Sequence, residues 1–349
     1  NYREQPDNTK LDHIPGDYGL PVLGYTIPLV KDLHATIDRQ YQRFGAVSRF
    51  RLIGPKGLML IGPDLYKQVM LDTDKNFSAE MGYMGSLGRF YKGALLLRDH
   101  DEHRFQRRIM QSAFKNDAMK GYIATMGPMI ADGTKYRKGK IGERYLKSLF
   151  GGLINERRLA SKTDTFSYFC REKTEEGEYF SDQDIIAHIS FLLFAAHDTT
   201  TSALTHLLYY LGQDMDVQQR LRDEANAVDK PFLDYEDLEK MPLMEIAIKE
   251  ALRLHPSVMM MQRRTIKDCE IGGYKVPANT NVWMAPQHVH RMSEYWDEPL
   301  KFDIDRWLHQ FLRQYEFRLA DNFSSKMQTV PLPKLVDDLP IVVKRIAVK

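Results

Sequence analysis

The sequence predicts a mainly α chain with a small β-sheet, organised as one domain over all 349 residues. Three observations lead there. Apolar residues recur at helical spacing over 32–44, 181–211 and 241–255. Short β-like runs bounded by Gly and Pro lie towards both ends of the chain. Apolar residues make up 43% of the whole, enough to build a core and to set disorder aside.

The elements can be justified in order. Residues 15–24 are dense in turn formers and predict an ordered, irregular arm. The helix over 32–44 stops at Gly45, and the runs 47–53 and 58–61 form a hairpin around Gly54-Pro55-Lys56-Gly57. Pro63 opens another helix, with Leu65, Val69 and Met70 as its apolar face. Residues 99–132 read as helical with a basic face, whereas 135–160 are charged with few long apolar stretches. Ser181 caps a helix whose first turn holds Asp182 and Asp184, acids that favour its dipole. The helix over 241–255 stops at Pro256. Strands are expected at 269–276 and 282–285, and short ones in the alternating tail 330–349.

Composition narrows the function classes. Lys and Arg number 49 against 47 Asp and Glu, so no global charge argues for nucleic acid or an acidic membrane, and a basic patch must be local. The two cysteines, Cys170 and Cys269, form neither a disulfide framework nor a zinc knuckle, which points to a reducing, cytoplasmic setting. The first residue is Asn1, and the stretch after it has no signal-peptide core. Residues 189–211 have the length of a membrane span, but Asp198 near the middle would cost about 2.5–3.5 kcal/mol there. We therefore expect a helix buried within the protein and no transmembrane anchor.

Four constellations carry chemistry. The first, Ala195-Ala196-His197-Asp198-Thr199-Thr200, sets an acid and hydroxyls in an apolar helix. Its Thr side chains can bond back to the carbonyl four residues earlier, and its alanines leave room for a small ligand. The second is Glu250-x-x-Arg253, a pair on one helix face with apolar neighbours that favour a buried, bidentate contact. The third is Phe302-Asp303-Ile304-Asp305-Arg306-Trp307, and the fourth is His103-Arg104-Phe105-Gln106-Arg107-Arg108, with His103 and Arg107 one turn apart. Taken singly, each also reads as an ordinary packing contact or a solvated face.

Their order and spacing closely resemble the cytochrome P-450 superfamily, from Pro15 to Trp307. The mid-helix motif matches except for Ala196, where the family has Gly. Glu250 and Arg253 match the family's Glu-x-x-Arg, and Arg306 matches the third member of its buried triad. The resemblance implies a heme b cofactor, dioxygen and a small lipophilic substrate. It further implies electrons from NAD(P)H through a ferredoxin- or flavodoxin-type donor, and a soluble, bacterial-type member. By resemblance, Thr199 bonds the iron-bound oxygen, Asp198 gates protons, and Ala195 and Ala196 lie against the heme. His103, Arg107 and Arg263 hold its propionates, with Arg264 the alternative to Arg263.

The departures concern the iron and the chain's completeness. The family presents its thiolate, the iron ligand, on a Gly-rich Cys loop after the segment matching Trp307. This chain has no Gly after Gly273 and no Cys after Cys269, and Trp307 runs straight into Leu308-His309-Gln310. No residue is therefore assigned to iron. A second gap falls near Thr134-Lys135, where helices expected of the fold are missing, so the fold is expected to be incomplete. Two other readings stand beside the monooxygenase: a heme-free, inactive ligand- or partner-binding derivative, and a metal hydrolase using His288 and His290. Arg104, Arg107, Arg108 and Lys115 form a local basic patch that could steer an acidic electron donor.

Overall fold

The computed structural model describes residues 10–54, 56–112, 142–160, 164–173 and 177–305, and the strand segments 315–319, 327–328, 334–335 and 341–345. Helices α1 (Thr26–Lys31) and α2 (Leu33–Phe44) lead into strands β1 (Val47–Arg51) and β2 (Lys56–Leu60). Helix α3 (Pro63–Leu71), strand β3 (Phe77–Ser78) and helices α4 (Ala79–Tyr83), α5 (Gly88–Tyr91) and α6 (His100–Ser112) follow. The helical half continues with α7 (Gly142–Leu159), α8 (Thr165–Arg171), α9 (Asp182–Leu211), α10 (Met215–Ala227) and α11 (Pro242–Leu254). Strands β4 (Met261–Thr265), β5 (Cys269–Ile271), β6 (Tyr274–Val276) and β7 (Asn281–Met284) come next, followed by α12 (Pro286–Val289). Strands β8 (Tyr315–Leu319), β9 (Met327–Gln328), β10 (Lys334–Leu335) and β11 (Ile341–Arg345) complete the order.

The main sheet joins distant parts of the chain in the order β1-β2-β7-β4-β3. The hairpin β1–β2 is antiparallel, and β2 then pairs parallel with β7. All four residues of β7 are buried, as suits an interior strand covered on both faces. Gly57 sits opposite Asn281 in the β2–β7 pair, where an added Cβ would lie 2.2 Å from the Asn281 carbonyl oxygen. That close approach admits only glycine. The expected 269–276 strand is the small hairpin β5–β6.

Local chemistry fixes the helix ends. Asp32 accepts from the Ala35 N–H at 2.9 Å and caps α2, while Gly45, at φ 82°, ends it. Ser181 caps α9 through the Asp184 N–H at 3.1 Å. Pro63 and Pro242 open α3 and α11 at positions that need no donor.

Three sequence expectations change. Within 135–160 the structure has the helix α7, whose Phe150, Leu153 and Ile154 pack with α8 and the start of α9. Charged residues on its other positions masked that spacing. Met70 is exposed; Leu65, Tyr66 and Val69 are the α3 residues that meet the core. The helix expected to be buried is α9, but only Ile185, His188, Ile189 and Leu207 along it are buried. Helices α7 and α8 cover its first part, whereas Leu193, Phe194, Leu204, Leu208 and Tyr209 face outward. No helix among the described residues is long and apolar enough to cross a membrane. The expected helix beyond 112, Lys115, Arg306 and both suspected joins lie outside the described residues.

Candidate functional site

Glu250 and Arg253 lie one turn apart on α11 and are both buried. Arg253 donates Nε to Glu250 Oε2 and Nη2 to Glu250 Oε1, each at 2.8 Å. Its Nη1 donates to the carbonyls of His290 at 2.6 Å and Pro299 at 2.8 Å, and Nη2 to that of Lys301 at 3.1 Å. A guanidinium has five N–H donors, and all are used. The Trp296 ring lies 4.8 Å from the guanidinium carbon. Glu250 also accepts the Asp303 N–H at 3.1 Å. The pair thus gathers the segment 290–303 onto α11 and holds the chain just ahead of Arg306.

On α9, Thr199 donates its hydroxyl to the Ala195 carbonyl at 2.6 Å, and Thr201 and Thr205 bond back in the same way. This is the back-bonding the sequence led us to expect. Asp198 departs from expectation. Its side chain is 66% exposed and meets His197 Nδ1 at 2.8 Å, so the desolvation cost ascribed to a buried acid does not arise. Ala195 is half-buried and Ala196 exposed. Sequence reasoning missed Ser257, whose hydroxyl donates to the Thr199 carbonyl at 2.9 Å. It fastens the segment after α11 to the motif on α9, and the two helices also share the core around Leu207, Ala247 and Ala251.

The third group joins α6 to β4. Burial holds the half-buried His103 below its ordinary pKa, the charges of Arg107 and Arg263 lower it further, and Asp99 works against them. Three residues expected to share one role are therefore electrostatic neighbours, although Arg263 is 160 positions from His103 in sequence. Among the described residues neither guanidinium is paired with a carboxylate. Side chains alternate along β4: Arg264 is buried and donates to the Asn279 carbonyl at 3.0 Å, which leaves Arg263 as the β4 arginine beside His103.

Two residues the sequence reading passed over set the position of α6. Asp99 accepts the Ala79 N–H at 2.6 Å and the Glu80 N–H at 3.3 Å, and also bonds the Ser78 hydroxyl. Arg98 donates to Asp184 at 2.9 Å, tying the start of α6 to the first turn of α9. Neither has a motif around it, and only tertiary contact reveals the role.

The implied heme needs a thiolate, and the cysteines do not fit that requirement. Cys170 lies on α8, buried among Phe166, Phe169 and Phe180, and burial pushes its thiol up to about 11. Cys269 is on β5 against the sheet core, with its thiol likewise pushed up to about 11 by burial. Neither is on α9, α11 or the segment 290–303, and both are protonated at neutral pH. Among the described residues no group of three or more His, Cys, Asp or Glu is arranged to hold a metal.

Known proteins agree with this architecture. The cytochrome P-450 family profile matches residues 14–145 and 136–318. Cytochrome P-450 136 of Mycobacterium tuberculosis is 26% identical over 445 aligned positions, covering 98% of this chain and 90% of that protein. The alignment is longer than this 349-residue chain, so roughly a hundred positions of that relative have no counterpart here. Abscisic acid 8'-hydroxylase 4 of Arabidopsis thaliana is 24% identical over 363 positions, 84% of this chain and 77% of that protein. The fold matches that of retinoic acid-bound cyanobacterial CYP120A1 with a TM-score of 0.72 at 20% identity, over 95% of this chain and 99% of that one. Profile, relatives and fold agree: this chain belongs to the cytochrome P-450 family.

Proposed function

We propose that the protein from which this chain derives is a heme-dependent monooxygenase that inserts one atom of dioxygen into a lipophilic organic substrate. Electrons would come from NAD(P)H through a ferredoxin- or flavodoxin-type donor. The single observation that carries the reading is the meeting of Arg107 on α6 and Arg263 on β4 around His103, two cations and an imidazole suited to the carboxylates of a porphyrin. Asp198 and Thr199 are the residues proposed to handle protons, and the exposure of Asp198 lets it exchange them with solvent. Glu250, Arg253 and Arg306 are proposed as the structural triad.

In this reading the chain lacks two internal segments of its family, near 134/135 and 307/308, the second of which carries the cysteine loop. The surplus positions in the alignment support it, and the division of the profile match into 14–145 and 136–318 supports the first of the two joins. The nucleotide sequence across both joins tests it. A recovered Gly-rich Cys loop, in a product whose reduced form under carbon monoxide has the red-shifted thiolate band, is the outcome we expect. A second reading, a heme-free derivative that binds a ligand or partner, is favoured by the placement of both cysteines away from the motifs, Cys170 buried and Cys269 partly buried. An intact reading frame without the loop, giving a pigment-free product, would replace the first reading with it.

A further inference from the structure

Helix α2 and the short helix α12 meet at a pair of histidines. The His34 and His288 rings have centroids 5.2 Å apart and planes tilted by 41°. His34 lies in the first turn of α2, and His288 follows the buried strand β7 by a few residues. Ile37, Val289 and Met292 belong to the core cluster at this junction, with Leu33 and Tyr41 packed on it. His288 is 2% exposed and His34 half-buried, so the pair has one closed member and one partly open to solvent.

A buried imidazole ordinarily spends its nitrogens on hydrogen bonds. Here His34 Nδ1 and both ring nitrogens of His288 are buried without a partner among the described residues. The Tyr41 ring lies 5.9 Å from that of His288, but its hydroxyl donates to Glu294 at 3.5 Å. A second histidine pair supplies the contrast. His206 and His255 stack at 4.2 Å, yet His206 Nδ1 meets the Ser202 carbonyl and His255 Nδ1 the Tyr210 hydroxyl, both at 2.9 Å. Hydrogen bonding accounts for that pair and leaves three nitrogens of the first unspent.

Those nitrogens suit a metal ion. Burial pushes His288 down to about 4 and holds His34 below its ordinary value, so at neutral pH each ring keeps a lone pair free. Rings at this separation can each turn one nitrogen to the roughly 3.3 Å spacing that two ligands about 2.0–2.1 Å from a tetrahedral zinc ion require. Asp38, one helical turn after His34, is a carboxylate whose charge acts on both rings, and Asp32 acts on His34 as well. Arg291 opposes them at His34, which with two protein ligands makes for moderate affinity. No third His, Cys, Asp or Glu among the described residues completes a set, so water fills the remaining positions.

We propose that His34 and His288 bind a divalent transition-metal ion of the zinc class at the α2–α12 junction, with water completing its coordination. The test is isothermal titration calorimetry of the full chain, stripped with a chelator, against zinc chloride at neutral pH. One ion per chain is expected, together with a urea midpoint that rises with free zinc. His34→Gln and His288→Gln should each weaken binding about tenfold or more. His206→Gln, in the hydrogen-bonded pair, should leave it unchanged. His34 is partly exposed, so its variant decides the matter if the buried His288→Gln change prevents folding. A wild-type chain that takes up no zinc overturns the proposal. So does a His34→Gln variant that binds as tightly as wild type, or zinc binding that is lost in His206→Gln.

Discussion

Glu250 and Arg253 meet through two parallel contacts of 2.8 Å in a site closed to solvent, and Arg253 uses its remaining donors on three backbone carbonyls. A buried pair of this kind costs desolvation as well as gaining attraction. Its value here is positional, because it pins 290–303 against α11.

Removing one partner should be worse than removing both. Arg253→Ala leaves the Glu250 charge buried and three carbonyls without their donor, and should cost about 3–5 kcal/mol in urea unfolding. In Glu250→Leu with Arg253→Met the losses should fall short of the sum of the singles by about 1–3 kcal/mol. Additive losses would show that the two side chains do not act as a unit.

His103 should report the cationic cluster directly. The charges of Arg107 and Arg263 help hold its pKa below the ordinary histidine value. Removing either charge, by Arg107→Gln or Arg263→Gln, should raise the His103 midpoint in an NMR titration. An unmoved midpoint in both variants would separate α6 from β4 electrostatically and remove the main support for the proposed function.

Stability should fall on mild acidification. His188 and His288 are buried, both ring nitrogens of each lack a hydrogen-bond partner among the described residues, and burial pushes each pKa down to about 4. In the unfolded chain both take a proton near 6.5. The unfolded state thus binds more protons between those values. Stability is flat above neutrality and drops as pH falls from about 6.5 towards 4, by of order 1–2 kcal/mol per residue at about pH 5. His188→Phe with His288→Phe should make the fall in urea midpoint over that range shallower, with His255, also pushed down to about 4, keeping part of it; a dependence as steep as wild type would contradict the assignment.

The β2–β7 pair leaves no space at Gly57. Gly57→Ala would drive a methyl group into the Asn281 carbonyl and the Trp283 ring, at 2.2 and 2.7 Å. Forcing apart strands in the main sheet should cost about 1–3 kcal/mol or more in urea unfolding. An unchanged midpoint would mean that the register Gly57↔Asn281 is not held in solution.

Much of this was legible before the structure. The Ser181 cap, the Gly45 stop, the Pro63 start and the Gly54 hairpin depend on neighbours in sequence, and those elements formed where local chemistry put them. Glu250 and Arg253 were readable because helix periodicity alone sets them on one face. What failed depends on distant partners. Asp198 looked buried because its helix is apolar, yet burial is decided by what packs on α9, and the outer part of that helix is bare. The α7 helix hid behind charged residues whose apolar partners, Phe150, Leu153 and Ile154, make sense only against α8 and α9. Asp99, Arg98 and Ser257 act through contacts that no local pattern encodes.

The family scaffold is present here without the family's cysteine loop. The direct measurement is the absorption spectrum of the purified 349-residue chain mixed with hemin, reduced and exposed to carbon monoxide. We predict no red-shifted thiolate band. A thiolate band that disappears on Cys170→Ala or Cys269→Ala would show instead that one of these two cysteines reaches the iron.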